Sequence, residues 1–143
     1  MSAPAVAVLE TAQGKPSTVF AAWMDQRKNP GDLQVYWSTL IGDGGQIENR
    51  PVAASVAGDE DHPALAIDAN NVFAAWESHR GEKSHVRVRQ LGTEGVEKDF
   101  AEDGGSALFP SIAAKAGAVV VAYERLRDGK RDVVVRRVPS APK

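Results

Sequence analysis

Three arginines stand at one distance from an aromatic residue: Arg27 four positions after Trp23, Arg80 four after Trp76, and Arg127 four after Tyr123. An acid lies between them each time: Asp25, Glu77 and Glu124. Guanidinium groups gathered on one rim would bind a carboxylate, a sulfate or an acidic sugar through paired hydrogen bonds. The same spacing suits a plainer role, in which each arginine pairs with an acid of its own unit or lies on its aromatic and pins a turn. A residue repeated in every unit serves the unit first, so a mainly structural role is expected. Trp23, Trp76 and Tyr123 end apolar segments, which favours packing over sugar stacking. Tyr36 and Trp37 have no aromatic counterparts, the aligned residues being Arg87 and Val88, then Val134 and Val135. One of the two must face outward unless something covers it, which makes Trp37 a candidate for rim stacking. The candidate ligand-binding residues are thus Arg27, Arg80, Arg127, Asp25, Glu77, Glu124 and Trp37.

Other chemistries find less footing. The run "DEDH" (59–62) groups oxygen ligands with an imidazole, but without the spacing of a helix–loop–helix calcium site it reads as a solvated acidic turn. His62, His79 and His85 show no zinc spacing. No cysteine and no G-x-S-x-G are present, so neither thiolate nor nucleophile-elbow chemistry is indicated. "GDGG" and "EDGG" are turns, since no lysine and no strand–helix context makes them phosphate loops. No catalytic residue, metal or cofactor is assigned. A net charge of -2 gives no electrostatic reason to expect nucleic acid or an anionic membrane. The apolar runs are far too short to span a bilayer as helices. "MSAPAVAVLE" lacks the basic and apolar regions of a signal peptide. A chain whose leader had been removed would begin the same way, so the compartment stays open.

The elements that must carry these residues recur three times. "STVFAAWMDQR", "NNVFAAWESHR" and "GAVVVAYERLR" are each followed by a Gly- or Asp-rich turn and an alternating segment such as "HVRVRQL" or "DVVVRRV". Each is preceded by a Pro-led segment: "APAVAVL", "HPALAID" or "FPSIAAK". Small residues on alternate positions of that first segment suit a crowded place. The second segment is apolar on both faces, so both must be covered. The third alternates as a half-exposed strand does. A weaker fourth strand fits within "GQIENRPVAAS" and "GVEKDFAED", and the third unit has no room for one. About eleven strands and no helix follow. The expected fold is all-β: three four-stranded antiparallel propeller blades, the third three-stranded, in one domain spanning 1–143. The blades run over about 3–58, 62–105 and 109–139.

These repeats, "FAAWMDQR", "FAAWESHR" and "VVAYERLR" with their "VxVR"-like strands, resemble those of bacterial sialidase-like propellers. The resemblance is to a degenerate pattern without the Asp-box turns S-x-D-x-G-x-x-W. It implies six blades, and for the catalytic members an arginine trio, a Tyr–Glu nucleophile pair and an acid/base Asp. Tyr123 and Glu124 are adjacent, hence on opposite faces of a strand, and do not form that pair. The function expected is a non-catalytic binding or scaffold module offering a propeller face to a carbohydrate or an acidic small ligand. The alternative is a sialidase-like glycoside hydrolase. Three blades cannot close a ring, so a homodimer closing six is the expected partner arrangement.

Overall fold

The computed structural model describes residues 3–10, 17–26, 33–41, 48–53, 58–93 and 97–139. Among them eleven strands form three antiparallel meanders, none closed on itself. The first sheet is β1 (Ala5–Leu9), β2 (Thr18–Asp25), β3 (Gln34–Ile41) and β4 (Arg50–Pro51). The second is β5 (Glu60–Asp68), β6 (Asn71–Arg80), β7 (Lys83–Gln90) and β8 (Lys98–Phe100). The third is β9 (Ser106–Lys115), β10 (Ala118–Arg127) and β11 (Lys130–Arg137). The all-β class and the count of four, four and three strands match the pattern of alternation and turns. The tightest hairpins show why. Asp128 and Gly129 both have positive φ, 52° and 72°, the twist that a two-residue β-hairpin demands.

Alternation gives each sheet two faces, here called front, toward the preceding sheet, and back, toward the following one. Ala22, Val35 and Trp37 on the back of the first sheet join Val72, Ala74 and Trp76 on the front of the second, with Val52, Ala53 and Leu91, in one buried cluster. On the back of the second sheet Ala75, Val86 and Val88 join Ala107, Val121 and Tyr123 of the third in another. The second sheet is therefore covered on both faces. Its central strand β6 is apolar on both for that reason, and burying Trp76 or Val86 fully contributes on the order of 1.5–3 kcal/mol each.

The first strands of successive sheets, here called the inner strands, meet closely, β5 against β1 and β9 against β5. Ala66 is buried and Ala64 packs against the second cluster. Ser111 and Ala113, their counterparts in β9, lie exposed on the open back of the third sheet. Two glycines make the close approach possible. A Cβ on Gly58 would lie 2.0 Å from the carbonyl oxygen of His79, and one on Gly105 would lie 2.5 Å from that of Leu126. The two occupy equivalent places, each five residues before the proline of its inner strand.

Candidate functional site

The hairpin ends carry the repeated arginines. Arg80 stands opposite Lys83 at the β6–β7 turn, and Arg127 opposite Lys130 at the β10–β11 turn. Both arginines are exposed, and neither makes an ion pair among the described residues. Arg27 lies outside the described residues. The repeated acids diverge. Asp25 accepts a long hydrogen bond from the Trp23 indole, 3.4 Å. Glu124 is partly exposed and bound to Arg131 at 2.9 Å. Glu77 is 2% exposed, and so lies inside the protein rather than on a rim. Trp37 departs from the rim too. It is 8% exposed, sits in mid-strand, and stacks on Phe20 with its centroid 6.4 Å away. The Arg50 guanidinium covers it, 5.7 Å from the ring centre, a cation–π contact that sequence could not place. Tyr36 is buried as well, so neither aromatic of β3 faces outward.

Glu77 holds together the second seam, the contact of the second sheet with the third, the first seam being that of the first sheet with the second. Its Oε2 accepts the backbone N–H of Phe109, 3.1 Å away on β9. His62 Nδ1 lies 3.4 Å from that oxygen, and His79 Nε2 lies 3.3 Å from Oε1. His79 in turn shares a 2.8 Å hydrogen bond with the Ser84 hydroxyl. The chain Ser84–His79–Glu77 has the order of a nucleophile, base and orienting acid, but Ser84 is only 6% exposed, out of a substrate's reach. Its role is to pin the β6–β7 hairpin to β9, whose Ser106 hydroxyl accepts the Ser84 N–H at 3.2 Å.

His62 and Phe109 precede Pro63 and Pro110 and have φ of 48° and 51°. Residues before proline ordinarily stay extended, and a bulky side chain in this region is strained. Each stands where the register of its inner strand slips, and a bulge re-aims a side chain. The two rings meet edge to face, centroids 4.6 Å apart. Nothing in composition or spacing marks this pair, since Ala3 holds the place in the first unit.

The acidic run 59–62 is not the solvated turn expected of it: Glu60, Asp61 and His62 open β5, and the run is committed to the fold. Asp59 accepts the Leu33 N–H at 2.9 Å. Glu60, 2% exposed, accepts the Val35 N–H at 3.2 Å and the Trp76 indole at 3.2 Å. Burial is the largest influence on its carboxyl and raises its pKa, which those two hydrogen bonds oppose. Asp61 accepts the His62 N–H at 2.5 Å. Among the described residues no group of three His, Cys, Asp or Glu side chains is placed to hold a metal ion, and no helix is long and apolar enough to cross a membrane.

A further cluster gathers around Glu102, which precedes β9. Its carboxylate accepts the Tyr123 hydroxyl at 2.5 Å and lies 3.6 Å from both Arg125 and Arg136. Burial, then the bond to Glu102, push the Tyr123 phenol above its ordinary pKa. Arg125 also chelates Asp132 through two nitrogens, at 2.9 and 2.5 Å. Beside it Arg125, Arg127, Asp128, Lys130, Arg131 and Asp132 line a surface pocket at the hairpin end. Asp132 holds Arg125 and Glu124 holds Arg131, so Arg127 and Lys130 are the cations left to face an anion there. Glu102 and Arg125 could have been sought as carriers of charge next to Tyr123, but the meeting of Glu102 with Tyr123 depends on a 21-residue return of the chain. Compared with models of known families and with curated proteins, the chain matches none.

Proposed function

We propose that the chain is a non-catalytic binding module: three propeller blades, half of a six-bladed ring completed as a homodimer, presenting a hairpin face to an acidic carbohydrate or other acidic small molecule. One observation carries the ligand class, the pocket of Arg125, Arg127, Lys130 and Arg131 on the third sheet. Arg127 there makes no hydrogen bond or close ion pair among the described residues and feels Asp132 only through space, which leaves its donors for a bidentate contact with a carboxylate or sulfate. The wider charge distribution supports it. Residues 106–143 hold eight Lys and Arg against three Asp and Glu, whereas 59–105 hold five against eleven, so the third blade is a cationic end of an otherwise acidic chain.

The test is calorimetric titration with a sulfated disaccharide beside its unsulfated form. Binding of the sulfated sugar alone, weakened by salt and lost in an Arg127→Ala, Lys130→Ala double variant, is the expected result. Equal affinity for both sugars, or none for either, would overturn the reading. Both substituted residues are exposed strand ends that flank the Asp128–Gly129 turn, so the variant keeps its fold.

The second reading, a sialidase-like glycoside hydrolase, draws on the hydrogen bond from Tyr123 to Glu102 with two arginines beside it. A nucleophilic phenol has to be reachable and acidified, and Tyr123 is 2% exposed with its pKa raised. Release of a fluorogenic aglycone from a sialoside, abolished by Tyr123→Phe, would reverse this preference.

A further inference from the structure

The two seams inside the chain are built on one plan. Counted from the aromatic of each central strand, Ala22, Val35 and Trp37 hold the same register as Ala75, Val86 and Val88, and as Ala122, Val133 and Val135. The first two of these back-face sets are buried, at 0, 0 and 8% and at 0, 0 and 1%. The third lies open, with Val133 at 72% and Val135 at 64%. Front faces follow suit. Val72, Ala74 and Trp76 match Val119, Val121 and Tyr123, all buried, while Val19, Ala21 and Trp23 of the first sheet line an open apolar pocket with Leu40. Val6 and Val8 extend that pocket's face, 63% and 52% exposed. Gln34, Tyr36 and Ser38 on the β3 part of that front face are already buried, so the open back of the third sheet and the open β1–β2 part of the first sheet's front are the two halves of an interface the chain already forms twice.

We infer that the back of the third sheet docks on the front of the first sheet of a second copy, with Val133 and Val135 against Val19, Ala21 and Trp23. This rests on the propeller reading and specifies its partner surface. Inner strands fit by size: exposed Ser111 and Ala113 receive Val6 and Val8, as the back-face alanines of β5 receive β9. The charges at the strand ends agree. Across the second seam Asp68 accepts the N–H groups of Ala116 and Gly117, at 3.0 and 2.5 Å. In the same registers Lys115 takes the place of Asp68 and Glu10 that of Ala116. Lys115 of one copy therefore meets Glu10 of the other as an opposite charge. A head-to-tail contact either closes or propagates. Closure at two copies makes six blades.

Light scattering and sedimentation on the full chain test this. The wild type is expected at twice 15.2 kDa, with Val133→Glu and Val6→Glu each falling to 15.2 kDa while keeping their β-sheet circular dichroism. An equimolar mixture of the two variants regains association, because one intact face remains on each. Lys115→Glu weakens the dimer at low salt, and Glu10→Lys added to it restores it. A wild-type monomer, a mass that keeps growing with concentration, or a Val6→Glu variant still dimeric would each overturn the pairing. A double charge swap without rescue would overturn the contact of Lys115 with Glu10. Ligand titration separates the two proposals: a monomer that binds the sulfated probe sinks the pairing alone, and a dimer that binds none sinks the ligand reading alone.

Discussion

The first and second seams do one job with different chemistry. In each, the hydrogen-bonding tip of the central-strand aromatic meets a carboxylate: the Trp76 indole reaches Glu60, and the Tyr123 hydroxyl reaches Glu102. In each, a backbone N–H at the start of a third strand is captured by the next sheet, Leu33 by Asp59 and Ser84 by Ser106. Yet Ala107 stands where Glu60 would in the third sheet, so the second seam must bring its acid from the preceding loop. That acid arrives with arginines on it, and the seam ends in an ionic margin open to water. The first seam instead buries its acid beside Trp76, both at 2% exposure or less. A repeat fixes where a polar group is needed. It does not fix which residue answers.

If the first seam is the drier one, its aromatic should carry more of the stability. Trp76→Ala leaves a large cavity and a buried Glu60 without its indole partner, and is expected to cost about 3–5 kcal/mol in urea unfolding. Tyr123→Phe keeps the packing and removes one hydrogen bond to a carboxylate that Arg125 and Arg136 still hold. About 1 kcal/mol is expected there. Equal losses would dissolve the contrast between the seams.

The paired glycines come next in size. Gly58 has φ of 101° and its added Cβ would sit 2.0 Å from a backbone oxygen. Gly105 meets its carbonyl at 2.5 Å, so both places are closed to a side chain. Alanine at either must push the inner strand away from its neighbour, with a cost of roughly 1–3 kcal/mol from backbone strain alone. Gly58→Ala should be the worse, because the strained φ adds to the clash. Gly105→Ala unfolding at the higher denaturant would agree; the reverse order would put the tighter seam on the other side.

The strands were legible because period-two alternation and Gly- or Asp-rich turns survive in every unit. The interior of the site was not. Glu77 looked like a rim acid because it flanks Arg80 in sequence, but alternation puts it on the back face, where β9 covers it. Trp37 looked unpartnered because Arg50, which lies over it, is 13 residues further along on a two-residue strand, and its counterpart Lys98 in the second unit stands beside Val88 rather than an aromatic. His62 and Phe109 were hidden by proline itself, which argues for an extended neighbour where the bulge makes a left-handed one. One signal was present and unused: glycine five residues before each inner-strand proline, in "GDEDHP" and "GSALFP".

The smallest effect concerns the sign of pH dependence, which should differ between the buried and the open margin. Asp132 is held below the ordinary carboxylate range, chiefly by its hydrogen bonds from Arg125. Its contribution to stability is present above the unfolded value and lost as pH falls through the folded one. Glu60 runs the other way. Burial raises it above 4.5, so its contribution is complete below that value and is lost as pH rises through the folded one, each tenfold in proton affinity being about 1.4 kcal/mol. Glu60→Gln removes the titration. It also leaves one of the two donors, the Val35 N–H or the Trp76 indole, without an acceptor, a loss of about 1–3 kcal/mol that does not depend on pH. The stability of the wild type minus that of Glu60→Gln should therefore shrink as pH rises from 4.5 toward neutrality, on top of a constant offset. Urea melts of both proteins across that range give the slope. A flat difference would mean that the first seam admits enough water to solvate Glu60, and that the two margins are alike after all.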